Sequence, residues 1–553
     1  MNNNLILSII LSIAIIVGWQ YFYETPRIKA LQQRKANIEK NNLLAQKAEK
    51  PETMVPIEQS ISTPTRVKIA NGVINGSINL IGARIDDVLL TEYKDDLNDN
   101  HKVRLLAPSN TQESYFIELG WHSSDLNAKL PNSKTLWNAH TDKLTPEQPL
   151  ILSWTNEDGV IFQIEFKLDD QYMLFVNQKV INNSKAPLEL KTYSLINRLY
   201  KTTKNEAILH KGFLGVIGKE LHELSYSDLK DHKTFPKPST NWFGMTDKYW
   251  FTAIIPDQKN QNTINLHHTK NQNLDKYQLD ILSELQTLEP SQTTETSNKV
   301  FVGAKKVKLL DQYVKQYGIK LFDRAIDFGR LYIITKPIFY VINFFHSILG
   351  NFGLSIIAIT ILIKALLFGL SVKSGKSIKK MKALQPKIDK IKKQYDHDKA
   401  RLNQEIMALY KRENFNPLSG CLPILVQIPI LFAIYKVLYV TIEMRHAPFY
   451  GWIGDLSAPD PTSILTLFGL IPVNLPSFLQ IGVWPALMAI SMFIQQKLTG
   501  NVASDPVQEQ VMKLMPFMLL FMLAHFPAGL MIYWTVSNIL SIVQQLYINK
   551  YVN

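Results

Sequence analysis

At 553 residues the chain is too long for one ordinary domain, and a mean hydropathy near zero averages a polar part with a strongly apolar one. Its only cysteine, Cys421, excludes an intramolecular disulfide and a cysteine-built metal site. The net charge of +13 is no general nucleic-acid footprint, because 13 Lys/Arg against four acidic residues fall in one stretch, Lys373 to Arg412, beside apolar segments.

The first apolar run is Leu5 to Tyr23. Trp19, Tyr21, Phe22 and Tyr23 stand where the small residues of a cleavage site would be, so residues 1–24 read as an uncleaved signal anchor with an aromatic interface end. Residues 25–64 form a polar linker containing Pro51, Pro56 and Pro64, expected to be flexible. From 65 to 304 come short alternating runs bounded by Asn, Gly, Asp and Pro: Val73–Ile81, Tyr115–Leu119, Val160–Leu168, Tyr172–Ile181, Tyr249–Ile255 and Val300–Val302. In VIFQIEFKL (160–168), Phe162, Ile164, Phe166 and Leu168 share one face and Gln163, Glu165 and Lys167 the other, the period of a half-buried strand. Many such runs without long helices between them predict a β-sandwich. Helices are expected over 305–350. Within them Lys336, Tyr340, Asn343 and Ser347, spaced four, three and four, draw one polar stripe on a helix lying in the outer membrane interface.

The run FGLSIIAITILIKALLFGLSV (352–372) is long enough to cross a bilayer and holds one charge, Lys364. About 13 Å of helix separates Lys364 from Lys373, and a lysine stem reaches roughly 6 Å. An ammonium at that depth costs about 2.5–3.5 kcal/mol. Two readings stay open, a lysine that snorkels to the interface and a lysine that faces a polar cavity. The basic residues 373–413 repeat Met381, Leu384, Ile388, Ile391, then Leu402, Ile406, Leu409 at helical spacing, with a break near Tyr395–His397, which predicts a cytoplasmic helical hairpin.

Further spans are Leu422–Val440, Gly482–Leu498, Met512–Phe526 and Leu530–Ile548, the last two joined by the tight turn Phe526-Pro527-Ala528-Gly529. Lys436, near the outer end of its span, reads as structural. The basic loop marks the cytoplasmic side, and span parity then gives six crossings with both termini inside and residues 25–350 outside. In the last span Trp534, Asn538, Ser541 and Gln545, spaced four, three and four, share a face with Thr535 and Ser537 beside it. They could be helix-packing hydrogen bonds. With Gln427 and Lys364 they could instead line a wet groove that shortens the apolar distance a polar client segment must cross.

At these residues the chain resembles a known family. Asn416-Pro-Leu-Ser-Gly-Cys-Leu-Pro-Ile-Leu-Val-Gln427-Ile-Pro429, Leu384-Gln-Pro386, Glu405 to Lys411, Arg445-His-Ala-Pro448-Phe, Asp455-Leu-Ser and Phe526-Pro-Ala-Gly529 through Asn538 resemble, in order, the YidC/Oxa/Alb family of membrane protein insertases in its Gram-negative form. The resemblance implies a polytopic α-helical inner-membrane protein: a periplasmic β-supersandwich over 65–304, periplasmic helices over 305–350, and an insertase domain over 351–553 with its cytoplasmic hairpin at 373–413. It implies a groove open to cytoplasm and lipid but closed outside, lined by Lys364, Gln427, Trp534, Asn538, Ser541 and Gln545. Implied partners are nascent membrane proteins, the Sec translocon (SecYEG and SecDF), the ribosome through the basic hairpin, and the bilayer. No enzymatic activity and no metal or cofactor is implied. The family's groove cation is usually arginine; here the position is Lys364, which keeps charge and loses the bidentate fork. The outer segment 462–481 is longer than the common pattern and resembles alphaproteobacterial forms. Two other readings compete: a transporter or channel, against which stands the lack of inverted repeats, and a carbohydrate binder, for which no motif ties His210, His267 or His268 to a carboxylate.

Overall fold

A computed structural model describes residues 54–551, apart from 98, 126, 201–208, 230–231, 236–239, 272–273, 396, 417–421, 469, 472–475, 477–478 and 500–505. The expected anchor over Leu5–Tyr23 and most of the linker lie outside the described residues. The described residues up to Ser60, with Asn110–Gln112, form a small unit of their own. In it α1 (Ile57–Ile61) begins, the Val55 N–H donates to the Asn110 carbonyl at 2.9 Å, and the Ser60 hydroxyl donates to the Asn110 side chain at 2.7 Å.

The polar half folds into two sheets. Val160–Leu168 alternates as its sequence requires: Val160, Phe162, Ile164, Phe166 and Leu168 are buried, and the residues between them are not. It pairs antiparallel with Leu150–Thr155 and Met173–Asn182 inside a nine-stranded sheet. An eleven-stranded sheet, built around Arg84–Lys94, Tyr115–His122 and Leu188–Tyr200, covers it. The inner faces interdigitate, with Trp121 of one sheet edge-on to Phe162 of the other at 5.1 Å and the Gln178 amide donating across to the Gly120 carbonyl at 2.9 Å. Two expected strands, Val73–Ile81 and Tyr172–Ile181, are observed as Ile74–Asn79 and Met173–Asn182, so the period-two pattern located elements and blurred their ends. His267 and His268 do meet carboxylates, Asp280 and Asp275, each at 3.1 Å. Those partners come from an adjacent strand, which no local motif could show.

After the sheets come α2 (Val307–Tyr317) and α3 (Tyr332–Leu349). The polar stripe of α3 is spent on protein: the Lys336 ammonium lies 2.6 Å from Asp311 on α2 and 2.7 Å from Asp323, and the Tyr340 hydroxyl also bonds Asp311. On its other sides Ile338, Phe339 and Ile342 are buried, while Ile333, Phe344 and Ile348 stay exposed.

The span expected over 352–372 is not one helix. Helix α4 (Phe352–Leu366), capped by the Asn351 side chain accepting the Leu354 N–H at 3.1 Å, stops at Leu367. The chain resumes as α5 (Phe368–Gln394) after a bend of 60°. Gly369, just past the break, is a poor helix former and gives up little when the run is interrupted. Lys364 is therefore the third residue from the end of a 15-residue helix, and the first arm of the hairpin starts within the expected span. Helix α6 (Lys399–Arg412), capped by Asp398, returns along α5. Met381, Leu384 and Ile388 pack there against Leu409, all positions that the helical spacing named, and against Tyr410, which it did not. Then come α7 (Leu422–Val440), α8 (Val483–Thr499), α9 (Pro506–Leu523) and α10 (Ala528–Tyr551).

The sheets are joined to the helices by charge and aromatic rings. The Lys248 ammonium lies over the Tyr249 ring and over the ring of Tyr439 on α7, 3.8 Å from its centre, and burial pushes that lysine down to about 8. The Arg445 guanidinium lies over the Tyr249 and Trp250 rings and donates to the Asp95 carbonyl at 2.8 Å. Beside them Glu443 accepts the first N–H of α2, from Val307, at 3.0 Å, while its second oxygen is buried without a partner among the described residues. Burial raises this carboxyl from its ordinary 4.5 to about 7. The folded chain thus keeps a proton there that the unfolded chain loses, so the carboxyl's contribution to stability is full below pH 4.5 and is lost as pH rises to about 7. Glu443→Gln keeps an oxygen for Val307 and removes the titration. Thermal melts of the detergent-solubilised chain should show the variant more stable than the parent above pH 7 and less dependent on pH below it.

Candidate functional site

Lys336, Lys364 and Lys436, all in apolar helices, are held differently. Lys336 has two carboxylates. Lys436 on α7 has one, Asp327, at 2.8 Å, so its charge is balanced on the β-domain side of the helices. Lys364 has none among the described residues. Its half-buried ammonium donates to the hydroxyl of Ser541 on α10 at 2.8 Å, a neutral partner. An ammonium pairs at lowest cost with a carboxylate, so an unpaired one held between helices is a stored attraction for negative charge.

Helix α10 supplies the polar surface around it. Its first two turns are buried from Ala528 to Tyr533, with Thr535, Ser537 and Asn538 buried after them. Tyr533, Ser537 and Ser541 follow each other at intervals of four and so lie on one face. The Lys364 ammonium meets this ladder at Ser541, which passes its own proton to the Ser537 carbonyl at 2.9 Å, and the Gln427 amide of α7 meets it at the Tyr533 hydroxyl. The face bridges α4 and α7 with polar contacts through an otherwise apolar bundle.

The predicted residues divide. Lys364, Ser541 and Gln427 touch this ladder. Asn538 instead turns to α8 and donates to the Ser491 hydroxyl at 3.1 Å and the Met488 carbonyl at 3.4 Å. Trp534 packs at the edge of the apolar core. Gln545 bonds Asn549 of its own helix at 3.0 Å. Its neighbour Gln544 is the residue that reaches α4, donating to the Lys364 carbonyl at 3.1 Å. Tyr533 and Gln544 escaped the sequence reading because a tyrosine counts as apolar and a four-three-four stripe passes beside position 544. The interval 533–537–541 was a usable signal.

Helices, ladder and sheets together define a membrane protein with a helical C-terminal region and a large β-rich domain. Residues 344–553 match the family described as 60Kd inner membrane protein, and residues 66–341 match the YidC periplasmic domain. The membrane protein insertase YidC of Rickettsia bellii is 52% identical over 557 residues, and that of Rickettsia typhi 52% over 558, each match covering all of both chains. A crystal structure of an active YidC insertase with its first transmembrane domain resolved covers 92% of this chain and 96% of its own, at 14% identity and a TM-score of 0.36. The chain belongs to the YidC family of membrane protein insertases, inner membrane proteins with a periplasmic domain.

Asn538 joins α10 to α8. Asn538→Ala should lower the thermal stability of the solubilised protein by about 0.5–2 kcal/mol, the scale of an interhelical hydrogen bond in a membrane protein. Its effect on insertion should be the same for every client.

Proposed function

We propose that this chain, a membrane protein insertase and not an enzyme, integrates its clients along the polar face of α10, with Lys364 as the attracting charge. The supporting observation is the Lys364 ammonium, half-buried between helices, which meets a serine hydroxyl and no carboxylate among the described residues, whereas Lys336 and Lys436 are each paired with carboxylate. A client segment carrying Asp or Glu supplies the missing partner on its way across. Gln427, Tyr533, Ser537 and Ser541 offer hydrogen bonds to backbone that would otherwise cross hydrocarbon unsatisfied. Pairing in the groove is transient, because the client's final position leaves the ammonium to Ser541 again, so no external energy source is needed for release. Six crossings with both termini in the cytoplasm, the first at Leu5–Tyr23, place the hairpin of α5 and α6 inside, where its basic surface suits the ribosome. The chain acts on its clients alone or with the Sec translocon, the partner that the sequence resemblance implies.

Lys364→Arg should retain insertion, and Lys364→Ala should impair clients with acidic residues near their translocated tails more than clients lacking them. Losing the charge makes α4 more apolar, so a defect could not be assigned to failed membrane integration. Lys436→Ala leaves Asp327 unpaired, so the matched control is the double change Lys436→Met with Asp327→Asn, expected to spare both client sets. Equal insertion of acidic-tailed clients by parent and Lys364→Ala would end the proposal. The topology is tested separately: a tag at Lys219, in the β domain, should be cut by protease added outside the inner membrane, and one at Met407, in the hairpin, should be protected.

A further inference from the structure

One stripe of α10 touches both arms of the bend between α4 and α5. On the α4 side Lys364 is held twice: its ammonium by Ser541 at 2.8 Å and its carbonyl by the Gln544 amide at 3.1 Å. That carbonyl belongs to the last turn of α4, where the partner four residues on would be Phe368, already across the break. A carbonyl can only accept, so the contact fixes which way the Gln544 amide points. At the bend itself the Phe368 ring lies against the Tyr547 ring, centres 6.0 Å apart. On the α5 side Gly375 leaves room for Ile548, where a Cβ would come within 2.7 Å of the Ile548 side chain. One turn further, the Lys379 ammonium reaches the Ile548 carbonyl at 3.1 Å and the Asn549 carbonyl at 3.4 Å, near the negative end of the α10 dipole. Ser541, Gln544, Tyr547 and Ile548 are spaced three, three and one, a single helical face.

We propose that this face of α10 is a splint that sets the angle at Leu367 and so aims the basic hairpin, with Gln544 as its positioning residue. The splint rests on the reading of the chain as an insertase with a client-receiving hairpin, and it is independent of Lys364 as the attracting charge. Gln544 satisfies one of the backbone carbonyls that the bend strands, and in doing so fixes the end of α4 against the helix that also touches the arm beyond the bend. A straight helix would satisfy the Lys364 carbonyl from Phe368 and swing α5 away from Ile548. The cytoplasmic arm would then point elsewhere, although every helix remained intact.

The test uses the full chain in lipid nanodiscs with Cys421→Ser, which removes the only cysteine, and spin labels at Met407→Cys on α6 and Ile539→Cys on α10, both exposed positions. The parent should give one narrow distance distribution. Gln544→Met, similar in volume but without a donor, should shift or broaden it, and Tyr547→Leu should do the same through the other contact. Gln545→Met should not, because Gln545 bonds Asn549 and lies off the splint. Insertion should fall several-fold in Gln544→Met for clients with and without acidic tails alike, whereas loss of the Lys364 charge discriminates between them. Unchanged helical circular dichroism would show that the variants are folded. Superimposable distance distributions for the parent, Gln544→Met and Tyr547→Leu would overturn the splint, even if the role of the Lys364 charge stood.

Discussion

A positive charge inside an apolar bundle has to be answered by something, and what answers it decides what the bundle can do. Where a carboxylate answers, as Asp327 does for Lys436 and as Asp311 and Asp323 do for Lys336, the charge becomes a fastening between elements. At Lys364 the answer is a serine hydroxyl, a neutral partner, which is what the proposed role of this charge rests on. The rest of the helical half can be read from that difference. Helix α10 must carry polar groups at intervals of four to hold the ammonium, and α7 must bring Gln427 to the same face. Helix α8 then packs against the other side of α10 through Asn538, which leaves the ladder free.

The same economy appears at the break after Leu366. Ending a helix early strands carbonyls that a longer helix would have used. Here one is taken by Gln544, so the residue that supplies the charge also supplies the anchor. Lys364 therefore joins two tasks in one position, and the side chain and the backbone of that residue can be separated experimentally because they have different partners.

Periodicity made much of this legible. Strand alternation located Val160–Leu168 outright and other strands in part, Val300–Val302 lying inside Thr293–Ala304, and helical spacing named most of the apolar seam of the hairpin, because both patterns follow from burial of one face. The lone lysine and the serine that meets it were visible for the opposite reason, as interruptions of an apolar run. The bend was not, since apolar residues continue unchanged past Leu367 and the contact beside it, from Gln544 to the Lys364 carbonyl, joins positions 180 residues apart in sequence. The stripe assigned to Asn538 and Gln545 shows a further limit: residues on one helical face can serve different neighbours, and only packing tells which. Pairings such as His267 with Asp280 were hidden because strand register is a long-range property.

The junction between sheets and helices has a quality of its own. Its cations rest on rings: Lys248 on Tyr249 and Tyr439, Arg445 on Tyr249 and Trp250. Exposed ion pairs fade as dissolved salt shortens the range of their attraction. A cation seated against an aromatic face within a partly desolvated contact loses far less, because few mobile ions reach the gap between them. A domain outside the inner membrane meets whatever ionic strength the surroundings impose. Fastened in this way, it can keep its bearing on the helices through a change of salt that would loosen a surface held by opposite charges alone.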